Sequence, residues 1–313
     1  MRCLVTGAAG FIGSHIAEAL IERGHEVVGI DCFTDYYARD IKESNLTSLR
    51  DSRRFRMVEA DLLEYDLKRL LEGVDVIYHE AAQAGVRASW GQSFRIYTEN
   101  NIRATQRLLE ATRNLPLKRF VYASSSSIYG DAEELPVTET ALPQPVSPYG
   151  VSKLAAEHLC HLYWVNYGVP TVALRYFTVY GPRQRPDMGF HKFIRALLGG
   201  DEIVIYGDGN QTRDFTFVSD AVTANLACIG AEVTGRVFNI GGGSRVSVNH
   251  VLDVLQQISG LKARLRYIED QKGDVRDTHA DTSRARDALG FNPSVTIEEG
   301  LRAELEWRRG MQR

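Results

Sequence analysis

Tyr149 and Lys153 stand four residues apart, a spacing that puts a phenol and an ammonium on one face of a helix. A free tyrosine has a pKa of about 10. Service as a base near pH 7 therefore needs a downward shift of about three units, or about 4 kcal/mol. An adjacent lysine pulls in that direction, and so does a positively charged ring of a bound cofactor. Pro148 stands where such a helix would begin and pre-sets its first turn. One strand earlier runs Ala123-Ser124-Ser125-Ser126-Ser127-Ile128-Tyr129-Gly130. A serine at the end of that strand can hydrogen-bond the hydroxyl that Tyr149 deprotonates, which makes Ser125 and Ser126 catalytic candidates. The plainer alternative is a serine-rich loop beside a surface helix.

A second cluster opens the chain. Thr6-Gly7-Ala8-Ala9-Gly10-Phe11-Ile12-Gly13 ends a strand-like run with glycines spaced G-x-x-G-x-x-G. Gly7 permits a tight turn, Gly10 a close approach of backbone N–H groups to a pyrophosphate, and Gly13 close packing of helix on strand. The N–H groups of Phe11, Ile12 and Gly13 then open a helix whose positive end faces the anion. Asp31, at the end of the second strand, can accept from both ribose hydroxyls and repels a 2′-phosphate, so NAD is expected over NADP. Asp61 and Leu62 follow the third strand-like run and are adenine-side candidates, with a helix-cap role for Asp61 as the alternative.

These residues need a frame. Strand-like runs fall at Arg2-Thr6, Glu26-Ile30, Phe55-Glu59, Val74-His79, Arg119-Ser124 and Thr171-Arg175. Helical patterns fall at Phe11-Arg23, Tyr97-Thr112 and Tyr149-Tyr167. Val- and Ile-rich strands alternating with helices predict an α/β, doubly wound parallel sheet of the Rossmann type. Residues 1–175 are read as the cofactor-binding domain, rejoined by about 215–245 through Val237-Ile240. Residues 176–313 are read mainly as a smaller, substrate-binding lobe. There Tyr180-Asp187 and Tyr206-Phe217 read as loops, and Val248-Ser259 and Thr296-Arg308 as helices.

Composition narrows the classes. In 313 residues, 44% are hydrophobic and 25% charged, and the formal net charge is −3. That balance gives no reason to expect nucleic acid or an anionic membrane surface as partner. No run approaches 18 apolar residues, and the first residues lack a signal-peptide succession, so the expectation is a cytoplasmic protein. Cys3, Cys32, Cys160 and Cys228 are scattered, so neither metal binding nor disulfides are expected.

Taken together, these elements resemble the extended short-chain dehydrogenase/reductase superfamily and its NAD-dependent epimerase/dehydratase family. The likeness extends to His79-Glu80-Ala81-Ala82, Leu174-Arg175-Tyr176-Phe177, Tyr206-Gly207-Asp208 with Arg213-Asp214-Phe215, and Gly273-Asp274-Val275-Arg276. The resemblance implies bound NAD and a nucleoside-diphosphate sugar. Ser125 and Tyr149 would then serve the reacting hydroxyl, Lys153 the nicotinamide ribose, and Arg213 and Arg276 the diphosphate, which suits a planar guanidinium fork. The 4,6-dehydratases of this family carry an Asp-Glu pair where Ser126 and Ser127 stand, and UDP-glucuronate decarboxylases carry a Glu at the second place. Epimerisation, which needs no such acid, is what remains.

Ala81-Ala82-Gln83-Ala84-Gly85-Val86-Arg87 and the run Arg175 to Met188 are similar to UDP-glucuronate 4-epimerases. Most UDP-glucose 4-epimerases have Asn where Thr178 stands. The expected activity is therefore inversion at C4 of a UDP-sugar, most closely UDP-glucuronate. The 4-keto intermediate of a uronate is a β-keto acid that can lose carbon dioxide. Arg185, with Ser126 and Thr178, would hold the C6 carboxylate, and Arg87 is the other cation considered for it; Ser127 is a further substrate-binding candidate. Alternatives are a UDP-glucose or UDP-N-acetylglucosamine 4-epimerase, then a UDP-glucuronate decarboxylase, then an NAD-binding sensor without catalysis. The family also implies a homodimer through the helices near Tyr97-Thr112 and Tyr149-Tyr167. Tyr36 and Tyr37 either line a lobe interface or pack against it.

Overall fold

Seven parallel strands carry the molecule: β1 Arg2–Thr6, β2 Glu26–Asp31, β3 Phe55–Glu59, β4 Val76–His79, β5 Arg119–Ser125, β6 Thr171–Tyr176 and β7 Val237–Ile240. They lie in the order β7-β6-β5-β4-β1-β2-β3 in a computed structural model that describes residues 1–269, 271 and 273–311. Every pairing in this sheet is parallel. The chain runs outward from β1 to β3, then returns to lay β4 on the other side of β1. That reversal is where doubly wound sheets open a crevice at their carboxyl ends.

Alternation along each strand feeds two cores. On one face Cys3, Val5, Val76 and Tyr78 pack against Phe11, Ile16, Ala17 and Leu20 of α1 (Phe11–Glu22) and against Val218, Ala221 and Val222 of the helix Val218–Ala227. On the other, Leu4, Val28, Ile77, Phe120 and Tyr122 meet Leu108 and Leu109 of α2 (Ala104–Thr112) and Ala156 and Cys160 of α3 (Pro148–Tyr167). Both faces are covered, so the strands read as continuous apolar runs.

A third apolar cluster lies in the later part of the chain, where Tyr180, Phe190, Ile194, Phe215, Val251, Leu255 and Leu301 pack together. The two stretches expected as loops contain short strands. Val179–Tyr180 pairs in parallel with Thr216–Phe217, and Thr212–Asp214 pairs antiparallel with Arg245–Ser247. Strands of two or three residues are too short to show a period of two. Glu202–Tyr206 and Arg264–Ile268 form a further parallel pair that the sequence did not suggest.

A buried ion pair joins α3 to the sheet. Arg175 of β6 donates from Nε to Glu157 Oε2 at 3.0 Å and from Nη2 to Oε1 at 2.6 Å. Ser124 at the end of β5 donates to the same carboxylate at 2.6 Å. Arg175 Nη1 reaches the Tyr129 hydroxyl at 2.6 Å, and Tyr129 in turn donates to Asn239 of β7 at 2.7 Å. Replacing Glu157 by Gln leaves the Arg175 charge buried without a counter-charge. The expected loss is about 3–5 kcal/mol of unfolding free energy, read from urea denaturation at constant m-value.

Candidate active site

The carboxyl ends of β1, β2, β4, β5 and β6 open into one cleft. Its floor is the glycine loop. Gly7 has φ +65°, and its N–H donates to Ile30 O at 2.8 Å. A side chain there would stand 2.9 Å from the Ala81 nitrogen. A Cβ on Gly13 would drive into the Gly7 carbonyl oxygen, so α1 seats on β1 because residue 13 has no side chain. No side chain caps α1 at Gly10, and Ser14 N–H makes the first bond of the helix, to Gly10 O at 3.2 Å. The preceding N–H groups of Phe11, Ile12 and Gly13 have no helical partner, and these residues line the cleft with Gly7 and Gly10.

Asp31 ends β2 beside this loop. Its carboxylate accepts Phe33 N–H at 2.8 Å and Ala9 N–H at 3.2 Å, while burial pushes its pKa up. Asp61 accepts Leu63 N–H at 2.8 Å, and both Asp61 and Leu62 line the cleft. Asp61 caps no helix: it closes the turn to Leu63, and the helix that follows, Leu67–Leu70, is capped by Asp66. Free N–H groups for a pyrophosphate, with a carboxylate one strand away for a ribose, fit a dinucleotide.

Tyr149 and Lys153 enter from α3. Ser147 caps this helix by accepting Gly150 N–H at 3.1 Å, and Pro148 occupies its first turn. A Cβ on Gly150 would drive into the Ser127 carbonyl oxygen, so residue 150 must be glycine for the helix start to sit against the serine turn Ser126–Ile128. There Ser125 pulls the Tyr149 pKa down, and its hydroxyl accepts Ser127 N–H at 3.1 Å. Ser126 and Ser127 are half-buried in this turn.

The protein by itself raises the Tyr149 pKa. Burial outweighs the pull of Ser125 and of the Arg185 guanidinium. The expected downward shift is one that the positive charge of a bound cofactor would help to supply. Lys153 is 3% exposed, and its ammonium lies 4.6 Å from the centre of the Tyr122 ring. Burial pushes Lys153 itself down to about 8.

Arg185 lines the same cleft. Its Nε and Nη2 donate to the two oxygens of Asp187 at 2.9 and 3.0 Å, and Tyr36 OH donates to Asp187 Oδ2 at 3.1 Å. The turn that carries it is held on three sides. Arg183, at φ +68°, pairs with Glu18 of α1 at 2.7 Å; His15 Nε2 meets Pro182 O at 3.0 Å; and Gly181 N–H donates to the buried Glu304 carboxyl at 2.9 Å. A non-glycine residue at positive φ costs of order 1–3 kcal/mol and persists only under such restraint. Thr178 is half-buried on the connection into this turn.

The other arginines sit elsewhere. Arg87 does not join Tyr149: it pairs with both oxygens of Asp274 and stacks 3.9 Å from the centre of the Tyr206 ring. Arg213 donates to the carbonyls of Thr212, Val275 and Arg276, and exposed Arg276 pairs with Asp208 at 3.4 Å. The structure thus brings Arg87 to Asp274, in the loop that Arg213 holds by its carbonyls, and brings Arg185 to Tyr149. The sequence reading assigned no role to Asp187, Glu80 or Asn101. Asn101 holds Gln83 by Nδ2–H to its carbonyl at 3.0 Å and by accepting its N–H at 2.7 Å, and donates to Ser152 of α3 at 2.9 Å. It lies in the π-type turn Thr98–Arg103. Asp187 left a trace in sequence as the acid two residues beyond an arginine, and Glu80 as a member of the His79–Ala82 motif.

Residues 3–241 match the model of the NAD dependent epimerase/dehydratase family. A Bacillus subtilis (strain 168) protein named as an uncharacterized UDP-glucose epimerase, YtcB, is 47% identical over 309 residues, covering 98% of both chains. UDP-glucuronate 4-epimerase of Thermodesulfobacterium geofontis is 37% identical over 310 residues, covering 98% of this chain and 95% of its own. The crystal structure of UDP-glucuronic acid 4-epimerase from Bacillus cereus, in complex with UDP-glucuronic acid and NAD, superposes with a TM-score of 0.97. It is 44% identical, with 99% of this chain and 100% of that one covered.

The contact of Gly150 with the serine turn can be tested alone. Gly150→Ala is expected to cost about 1–3 kcal/mol in urea denaturation, since a helix-favouring residue would otherwise stabilise. An unchanged or raised stability would mean that the helix start does not press on Ser127.

Proposed function

The chain belongs to the NAD dependent epimerase/dehydratase family, and from that premise we propose that it interconverts UDP-glucuronate and UDP-galacturonate by inversion at C4. The observation that carries this reading is the meeting of Tyr149, Ser125 and Arg185 at one cofactor cleft, beside a turn where Ser126 and Ser127 replace the acids that dehydration or decarboxylation needs.

NAD would be held by the N–H groups of Phe11, Ile12 and Gly13, by Asp31 and by Lys153, and would supply the hydride acceptor and a positive charge beside the phenol. Tyr149 takes the O4 proton while C4 is oxidised, and returns it when the 4-keto sugar is reduced on its other face. Ser125 shares the phenol hydrogen bond and steadies O4. Arg185, with two donors on Asp187, keeps the N–H groups of Nη1 for the C6 carboxylate. Ser126, Ser127 and Thr178 add hydroxyls to that carboxylate and hold it in an orientation that opposes loss of carbon dioxide. Arg213 and Arg276 bind the diphosphate. Arg87 pairs with Asp274, two residues before Arg276, whereas Arg185 lines the cleft with Tyr149, which favours Arg185 for the C6 role.

Proton NMR of UDP-glucuronate incubated with the protein tests the reaction, and UDP-galacturonate without released carbon dioxide is the expected product. Conversion of UDP-glucose alone would move the assignment to the neutral sugar. Tyr149→Phe is expected to lower kcat about 10²–10⁴-fold. Arg185→Ala is expected to weaken UDP-glucuronate and to leave UDP-glucose affinity in place.

We further propose a homodimer built on α3. Val151, Leu162 and Val165 form an apolar stripe on that helix that is 45%, 51% and 60% exposed. Light scattering of the wild type should give twice the chain mass, and Leu162→Arg should halve it.

A further inference from the structure

A guanidinium on a long, flexible stem recognises a carboxylate well only when its planar fork arrives in one orientation. Three donors converge on Asp187. Its Oδ1 accepts Arg185 Nε–H at 2.9 Å, and its Oδ2 accepts both Arg185 Nη2–H at 3.0 Å and the Tyr36 hydroxyl at 3.1 Å. Tyr36 and Asp187 are 151 residues apart in the chain, so this carboxylate joins the turn that carries Arg185 to the stretch after β2. Arg185 Nη1 meets no acceptor among the described residues, and Arg185 and Tyr36 both line the cleft with Tyr149.

We propose that Tyr36 and Asp187 form a clasp that fixes which edge of Arg185 faces the sugar, and so act as positioning residues for the choice of a uronate over a neutral sugar. The inference rests on the assignment of Arg185 to the C6 carboxylate.

Tyr36 is a fixed post for such a clasp. The stretch that bears it is tied down by Phe33 N–H donating to Asp31 at 2.8 Å and by Lys42 Nζ donating to Thr34 O at 2.6 Å, with the Lys42 ammonium 4.8 Å from the centre of the Tyr37 ring. Against the phenol stands Gly85, at φ +104°, where a Cβ would come 2.5 Å from the Tyr36 oxygen. Gly85 is held in turn, because the Tyr97 hydroxyl donates to its carbonyl at 2.7 Å and to that of Ala84 at 3.0 Å. The Tyr97 ring meets Tyr149 edge-on, with centres 6.2 Å apart. The clasp is therefore built against the same residues that surround the catalytic phenol.

Asp187 has two opposing effects on a bound carboxylate. Its charge repels that group and masks part of the Arg185 charge. Its geometry takes up the Nε–Nη2 edge and leaves the opposite nitrogen, Nη1, for the ligand. The repulsion weakens with distance across the fork, whereas orientation decides whether a short charge-assisted bond forms at all, so orientation prevails. The Arg185 and Asp187 side chains are 22% and 32% exposed, partly sheltered from the solvent that would otherwise screen the pair.

The measurement is the pair of dissociation constants for UDP-glucuronate and UDP-glucose on the NAD-loaded protein, read by titration calorimetry in a Tyr149→Phe background so that neither sugar turns over. Their ratio is the uronate preference. Tyr36→Phe keeps the ring and removes the hydroxyl, and should cut the preference about threefold. Asp187→Asn should cut it about tenfold, with UDP-glucose binding unchanged within about twofold in both variants. Tighter UDP-glucuronate binding in Asp187→Asn would mean that Asp187 only masks the guanidinium, and would overturn the inference. Equal weakening of both sugars would mean a merely structural role and would overturn it too. With Arg185→Ala already present, Tyr36→Phe should change the ratio no further; a further fall would show that Tyr36 does not act through the arginine. Arg185→Ala alone tests the premise. An unchanged preference there would remove Arg185 from the carboxylate, and the clasp with it. A lost preference there, with Tyr36→Phe and Asp187→Asn at the parental ratio, would remove only the clasp.

Discussion

The bidentate pair between Arg175 and Glu157 is the interaction on which the site depends. It lies between the strand that ends at Tyr176 and the helix that carries Tyr149 and Lys153, and through Ser124 it also holds the end of the serine-bearing strand. A buried ion pair is weak evidence of net stabilisation, because desolvation cancels most of its attraction. What it contributes here is register. A carboxylate that must satisfy two guanidinium N–H groups and one hydroxyl has one place to be. Glu157 lies one helical turn beyond Lys153, so fixing it fixes the face that Lys153 presents. The close approach of Gly150 to Ser127 sets the other end of the same helix.

The arginines come in compensated pairs. Arg185 is matched by Asp187 at the cleft, and Arg87 by Asp274 away from it. The cleft therefore presents oriented donors rather than bare cations, as electrostatic preorganisation requires. Tyr149 is the exception. Burial raises its pKa, and the protein opposes that only with Ser125 and Arg185. Burial keeps the phenol protonated, and service as a base would require the positive charge of a bound cofactor.

Arg185 shows how specificity can be carried by a turn. The Gly181–Asp187 segment includes a residue at positive φ and is tied to α1, to the stretch after β2 through Tyr36, and to the helix Ile297–Gly310 through Glu304. Parts of the chain far apart in sequence thus meet on one guanidinium. Neither Tyr36 nor Tyr37 is a passive packing residue: both line the cleft, and Tyr36 is bonded across it.

Most of the frame was legible in the sequence, because a parallel sheet covered on both faces leaves local marks: unbroken apolar strands, helices between them, and glycines at the first crossover. The Tyr149–Lys153 pair, the serine run and Asp31 were legible for the same reason, since each depends on spacing within one element or at one strand end. Partnership was not. Arg87 and Arg185 look alike in sequence, and only the tertiary structure places one against Asp274, 187 residues away, and the other beside Tyr149. The direction of the Tyr149 shift was also hidden, because desolvation depends on what the fold packs around the phenol. Glu80 stands in a motif of the family likeness, yet its partner, the Tyr176 hydroxyl of β6 at 3.0 Å, shows only in the fold. Local periodicity encodes elements, but the dielectric and the counter-charge of a site are properties of the packed whole.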